Sequence, residues 1–290
     1  FLKMLGLVLL LLFAPAAMAQ QGAKSASSEK SHFATLDGAR IHYQSHGKGS
    51  EALVLIHGWT CNLDNWRDQV PDLTKRNRVI ALDLPGHGRS DKPQIPYTMD
   101  LFAKAIDAVM RDAKVDRAVL VGHSMGTPVA RQFYRKYPQK TLAIVIVDGG
   151  LRPFGDKQMR ENFLAMFRAP DYKEKAVQMF AAMAGPQLPA EPQERIRTSF
   201  LNTPQYVLVS AMEGMNDESL YATDKINVPV LAILAKSPFW SADTEQFLRS
   251  LAPKLEFQQW EGVGHFLMME KPKQFNDAVI SFLKQNSLLK

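Results

Sequence analysis

At 290 residues, 46% of them hydrophobic, the chain can bury a sizeable core, and no repeat, heptad or low-complexity tract divides it, so one domain with an insertion is expected. Its 35 basic and 29 acidic residues give a formal net charge of +6, but the two signs are interspersed, without the basic block that nucleic-acid binding needs. Composition therefore points to a soluble protein with no nucleic-acid or other polyanionic partner.

The N-terminal stretch carries a targeting pattern. Lys3 precedes the apolar run 4–13, and Ala17 and Ala19 supply the small residues of a cleavage site before Gln20. This predicts a signal peptide over 1–19, a polar leader over 20–32, and an exported protein, periplasmic or secreted. The apolar run is too short to span a bilayer comfortably, so no stable membrane span is expected after cleavage. The single Cys61 cannot form an internal disulfide and reads as a small buried hydrophobe.

Residues 33–37 and 40–46 flank the turn Asp37-Gly38, which predicts a β-hairpin at the edge of a sheet. Short apolar runs recur at 52–56, 79–82, 118–121, 142–147, 230–234 and 255–260. Most are continuous rather than alternating, as in strands covered on both faces. Helical spacing occupies several of the gaps: Thr98 can cap 99–111, 127–137 follows a serine, and 274–283 closes the pattern. The alternation implies a largely parallel sheet wrapped by helices. It stops between Asp148 and Lys225, where helical pieces rich in Met and Phe are joined by proline turns, the clearest of them, 185–192, separating 172–184 from 193–201. A helical cap over 149–225 is expected, inserted between core segments 33–148 and 226–290.

The chemistry concentrates in Gly122-His123-Ser124-Met125-Gly126, between a strand and a helix. A serine flanked by glycines suits a sharp strand-to-helix turn, which exposes the hydroxyl above the sheet and aims the positive end of the helix at it. Such a hydroxyl needs a base, and seven histidines compete for the role. His265, in the loop Gly262-Val263-Gly264-His265-Phe266 after the last strand, lies at the same sheet edge as Ser124. His32, His42 and His46 fall in the leader and first hairpin, where packing roles are expected. His123 reads as structural support, and His57 and His87 as loop-fixing hydrogen bonders.

His57-Gly58-Trp59, Asp83-Leu84-Pro85-Gly86-His87-Gly88-Arg89-Ser90, Gly122-His123-Ser124-Met125-Gly126 and Gly264-His265, in this order, resemble the α/β-hydrolase superfamily over about residues 33–283. The resemblance implies the α/β-hydrolase fold: a mostly parallel eight-stranded sheet flanked by helices, with an inserted helical cap. It also implies an oxyanion hole built from the backbone N–H groups of Trp59 and Met125, facing the charge that develops in acyl transfer. The His57-Gly58-Trp59 turn is similar to that of the pimeloyl-carrier-protein methyl ester esterases, a likeness that carries over the donor and not the substrate.

The chain departs from the family at the acid. After the strand at 230–234, relatives usually place an aspartate in a Gly-x-x-Asp turn, whereas this chain reads Ala235-Lys236-Ser237-Pro238-Phe239-Trp240. Two replacements present themselves. Asp148 ends the strand at 142–147, as in the haloalkane dehalogenases, which the position resembles. Asp243 lies later, at the expected start of a helix, where capping is its simpler role. Asp148 ranks first and Asp243 second.

A serine at the turn implies acyl transfer, where an aspartate would imply epoxide or haloalkane chemistry. Hydrolysis of carboxylic esters is the leading expectation, with short or medium acyl esters or lactones as substrates and with no metal or cofactor. A cofactor-free perhydrolase or haloperoxidase stands as an alternative, as does a ligand-binding protein with a relict site. Met159, Met166, Met179, Met183, Phe163, Phe167 and Phe180 are candidates for an acyl pocket, with packing inside the cap as their competing role.

Overall fold

The computed structural model describes residues 31–288. The expected signal peptide, 1–19, lies outside the described residues. Eight strands form one sheet: β1 (Ser31–Leu36), β2 (Ala39–His46), β3 (Glu51–Ile56), β4 (Arg78–Leu82), β5 (Arg117–His123), β6 (Thr141–Val147), β7 (Val230–Ala235) and β8 (Leu255–Trp260). Its order is β1-β2-β4-β3-β5-β6-β7-β8; β2 is antiparallel to both its neighbours, and from β4 to β8 every pairing is parallel. The expected leader ends earlier than residue 32, because Ser31 and His32 already pair with β2 and the His32 ring stacks on Tyr43 at 5.1 Å.

The helices are α1 (Val70–Leu73), α2 (Met99–Asp112), α3 (Gly126–Lys136), α4 (Lys157–Arg168), α5 (Tyr172–Met183), α6 (Ala190–Asn202), α7 (Gln205–Met215), α8 (Thr244–Leu251), α9 (Leu267–Glu270) and α10 (Pro272–Gln285). Helices α2 and α3 pack on each other and on the sheet, while α9, α10 and α1 form a second group. The continuous apolar runs have the burial they predict: every residue of β7, and residues 143–147 of β6, are buried. A strand covered on both faces cannot alternate with polar residues without stranding them.

Helices α4 to α7 occupy the interval where the strand–helix rhythm breaks off. Helix α4 packs on α5 and α7, and α5 on α6, while α6 and α7 also touch the rest of the molecule, at the short turn Leu63–Trp66 and at α2. Among the described residues no helix is long and apolar enough to cross a membrane.

The strand order determines where a site can form. From β3 the chain moves outward to β4, then returns past β3 to β5 and continues in the opposite direction along the sheet. The loops leaving the carboxyl ends of β3 and β5 therefore diverge and open a crevice between them, the usual ligand position in open α/β sheets. His57-Gly58-Trp59 leaves β3 there, and Ser124 leaves β5.

Candidate active site

Ser124 sits between β5 and α3 with φ of +53°, a left-handed conformation that is costly for a side chain other than glycine. The geometry is enforced from below. The Ser124 amide donates to Val147 O at 3.0 Å and its carbonyl accepts from Thr127 N at 2.9 Å. A Cβ at Gly122 would lie 2.3 Å from Gly126 O, and one at Gly126 would lie 2.4 Å from Ile56 O, so both glycines are demanded by close backbone approach. This is the tight turn that the sequence motif predicts.

The same crevice holds the amides of Trp59 and Met125. Neither donates a hydrogen bond to another group among the described residues, although both residues are buried. Trp59 follows β3 and Met125 stands just before α3, so both amides belong to the loops at the strand ends where the chain changes direction along the sheet. The Trp59 indole is committed elsewhere: its Nε1–H donates to Leu208 O on α7 at 2.9 Å, and its ring meets Phe167 edge-on at 4.7 Å. Phe163, Phe180 and Phe200 surround the same ring.

His265 and Asp148 meet. The imidazole Nδ1 lies 2.6 Å from Asp148 Oδ2. With Nδ1 donating to the carboxylate oxygen, Nε2 of the neutral ring is left as an acceptor. The other carboxylate oxygen, Oδ1, accepts from Ala235 N at 2.8 Å and from Trp240 Nε1 at 3.0 Å. Asp148 is itself left-handed, with φ of +41°, and its amide donates to Ile233 O across to β7. Ser124 Oγ and His265 Nε2 are not hydrogen-bonded to each other in this state, and such contacts often tighten only when substrate binds.

Asp243 is elsewhere. Its carboxylate takes a two-pronged contact from Arg152, at 2.8 and 2.9 Å, and a hydrogen bond from Ser241; these partners push its pKa down. It precedes α8 without capping it through its side chain.

Four of the remaining histidines, His42, His57, His87 and His123, are held by hydrogen bonds. His123 Nε2 donates to His265 O at 2.8 Å, so it supports the loop carrying His265. His57 Nδ1 donates to Gly58 O and its Nε2 accepts from Leu84 N, joining the turn after β3 to the one after β4. His87 Nδ1 donates to Pro85 O. Burial pushes all three pKa values down, His87 to about 3. His42 pairs with buried Asp83, which also takes the amides of Leu63 and Arg89. Cys61 is buried and its thiol is pushed up to about 12 by burial. Among the described residues no three His, Cys, Asp or Glu side chains converge as a metal site would require.

The cap reaches the His265 loop directly. His265 N donates to Met183 O at the end of α5, and a Cβ at Gly264 would fall 2.3 Å from Gly185 N. Under this contact lies Glu270, whose Oε1 accepts from Gly264 N at 2.8 Å while Oε2 faces Gly185; burial pushes its carboxyl up. Sequence reasoning missed Glu270, although one carboxylate ending the apolar run Phe266-Leu267-Met268-Met269 is the signal that would have found it. It also missed Trp240 as a donor, since nothing in the local sequence says where an indole N–H will point. Of the candidate acyl-pocket residues, Phe167 and Phe180 are buried around Trp59, while Met159 is exposed on α4.

Comparison with known proteins gives the same architecture. The chain is 38% identical over 115 residues to a dihydrolipoyllysine-residue acetyltransferase component of the acetoin cleaving system from Cupriavidus necator, a match covering 40% of this chain and 31% of that protein. It is 28% identical over 280 residues to a soluble epoxide hydrolase from Corynebacterium sp., covering 87% of this chain and 96% of the relative. The solved structure of Est816, described as an N-acyl homoserine lactone degrading enzyme, superposes with a TM-score of 0.73 at 26% identity, covering 87% of this chain and all of that one. The family model for the alpha/beta hydrolase fold matches residues 51–272, and with the strand order and the turn at Ser124 it places this chain in the α/β-hydrolase family.

Proposed function

We propose that this protein is a serine hydrolase that cleaves carboxylic esters of short or medium acyl chain, lactones among them, through an acyl-enzyme. The observation that carries the reading is the 2.6 Å bond between His265 Nδ1 and Asp148 Oδ2, at a site whose strained turn presents Ser124. In this reading Ser124 is the nucleophile, His265 the general base, Asp148 the acid, and Trp59 and Met125 the oxyanion donors.

The geometry supports the following sequence of steps. Ser124 Oγ attacks the ester carbonyl carbon as His265 Nε2 takes its proton, and the carbonyl oxygen becomes an oxyanion facing the amides of Trp59 and Met125. Asp148 stabilises the imidazolium that results. Collapse breaks the bond to the alcohol oxygen, which leaves with the proton from Nε2. Water, deprotonated by the same nitrogen, then attacks the acyl-enzyme and releases the acid and free Ser124. In a lactone the alcohol and the acid are one molecule, so the product is a hydroxy acid. The similarity to Est816 supports including lactones. A serine at the turn distinguishes this chemistry from the ester-to-aspartate route by which epoxides are opened.

The test is turnover of p-nitrophenyl esters across acyl lengths and of lactone rings of several sizes, beside covalent labelling by a fluorophosphonate. Turnover and labelling that Ser124→Ala abolishes support the reading. A protein that neither turns over any of these nor is labelled at Ser124 overturns it. Peroxide-dependent bromination exceeding ester hydrolysis replaces it with the perhydrolase alternative. The proposal extends to export, supported by Lys3, the run 4–13 and the small residues before Gln20. Protein recovered from the periplasm or medium with Gln20 as its first residue supports it, and an uncleaved cytoplasmic product refutes it.

A further inference from the structure

We propose that Trp240 is a positioning residue for Asp148, its indole N–H fixing the carboxylate plane so that the opposite oxygen is presented to His265. This rests on the serine-hydrolase reading above and adds a residue to it. Asp148 is 5% exposed, and its two carboxylate oxygens are divided: Oδ2 receives His265, while Oδ1 receives the Ala235 amide at 2.8 Å and Trp240 Nε1 at 3.0 Å. The two donors to Oδ1 come from different directions. Ala235 ends β7, beside β6, whereas Trp240 reaches back from the following loop with its ring over Gly150, where a Cβ would lie 3.6 Å from Cζ3. With His265 on Oδ2, the Ala235 amide alone leaves Oδ1 held from one segment; the Trp240 donor, from a second segment, further restricts rotation of the carboxylate about its side-chain torsions.

The same loop explains how the acid can stand one strand away from its usual place. In the family pattern the turn after β7 supplies the carboxylate. Here it supplies a donor to a carboxylate at the end of β6, so the loop still contributes to the acid's position. An indole N–H is suited to this because it can donate and not accept, and the Trp240 ring is half-buried against the core.

The charged groups nearby do not duplicate this role. On the base side are His265 and His123, whose rings lie 4.7 Å apart, and Glu270 beneath Gly264. On the acid side, Arg152 is engaged with Asp243, and Lys236 pairs with Glu261 at the surface. Ala235 and Trp240 are the donors to Oδ1 among the described residues.

The test is a double-mutant cycle on p-nitrophenyl ester turnover, with Trp240→Phe and Asp148→Asn singly and combined. Trp240→Phe is expected to lower kcat about tenfold with KM changed less than about twofold, and to change kcat less than about twofold when added to Asp148→Asn. Equal losses in both backgrounds, an unchanged kcat, or a raised KM at constant kcat would each overturn the proposal, the last by showing a pocket wall. Should Trp240→Phe fold poorly, 3-benzothienylalanine at position 240 keeps the bicyclic shape without the N–H, and it is expected to show the same kcat loss. Phe239→Ala, next to it on the exposed face of the loop, is expected to leave kcat unchanged. Fluorophosphonate labelling of Ser124 separates the two levels: labelled, active enzyme indifferent to Trp240→Phe refutes this inference alone, whereas loss of labelling in the unsubstituted protein refutes the serine-hydrolase reading.

Discussion

Asp148 and Asp243 differ in what their carboxylates are bonded to, and substitution separates them. Asp148→Asn keeps the volume but would offer an N–H to His265 Nδ1, forcing the ring toward the wrong tautomer; kcat is expected to fall on the order of 10³- to 10⁴-fold. Asp243→Asn weakens an exposed contact with Arg152 and is expected to change kcat less than about threefold. Stopped-flow or steady-state ester assays on both variants check the pair, and the opposite order would reassign the acid. At this scale the sequence was informative where the backbone imposes a residue and uninformative where a side chain chooses its partner. Ser124 was visible because Gly122 and Gly126 have no room for a Cβ, which leaves a written mark. The partner of His265 was open between two aspartates because the distance from Asp148 to His265 is set by strand order, 117 positions apart in the chain.

Between elements, the contact to perturb is the one joining the cap to the His265 loop. A Cβ at Gly264 would sit 2.3 Å from Gly185 N and 2.7 Å from Met183 O, and both obstacles are backbone, so neither can rotate aside. Gly264→Ala must push the turn after α5 away from the His265 loop. Displacement of a catalytic group by about an ångström can cost about a hundredfold, and a kcat loss of that order is expected, with the far-ultraviolet circular dichroism of the parent. Activity within twofold of the parent would show that the contact does not position His265. The sheet elements were legible because continuous apolar runs of strand length have one ready explanation in an alternating chain. Cap helices α4 and α7 were not delimited, since α7 carries the run Tyr206-Val207-Leu208-Val209 with little periodicity. Helix α4 follows a loop whose only visible marker is the cap Asp156.

For the molecule as a whole, the buried imidazoles set how stability responds to acid. His57, His87 and His123 titrate lower in the folded chain than in the unfolded one because burial penalises their charged forms. The unfolded chain therefore binds more protons below the ordinary histidine range near pH 6.5, and stability must fall as pH is lowered through it, for His87 down to about 3. Each such group contributes at most about 1.4 kcal/mol per pH unit. Urea unfolding at pH 7, 6 and 5 is expected to show a progressively lower midpoint, and His87→Phe to make the decline shallower. A midpoint independent of pH across that interval would contradict the neutral, buried assignment. A different consequence follows from Trp59. Its amide belongs to the crevice after β3, but its indole is bonded to Leu208 and enclosed by phenylalanines of α4, α5 and α6. The insertion is thus not a detachable module: a chimera that transplants another relative's helices onto this sheet removes the socket in which residue 59 is seated. Engineers exchanging specificity in this scaffold would have to move that residue and its socket together.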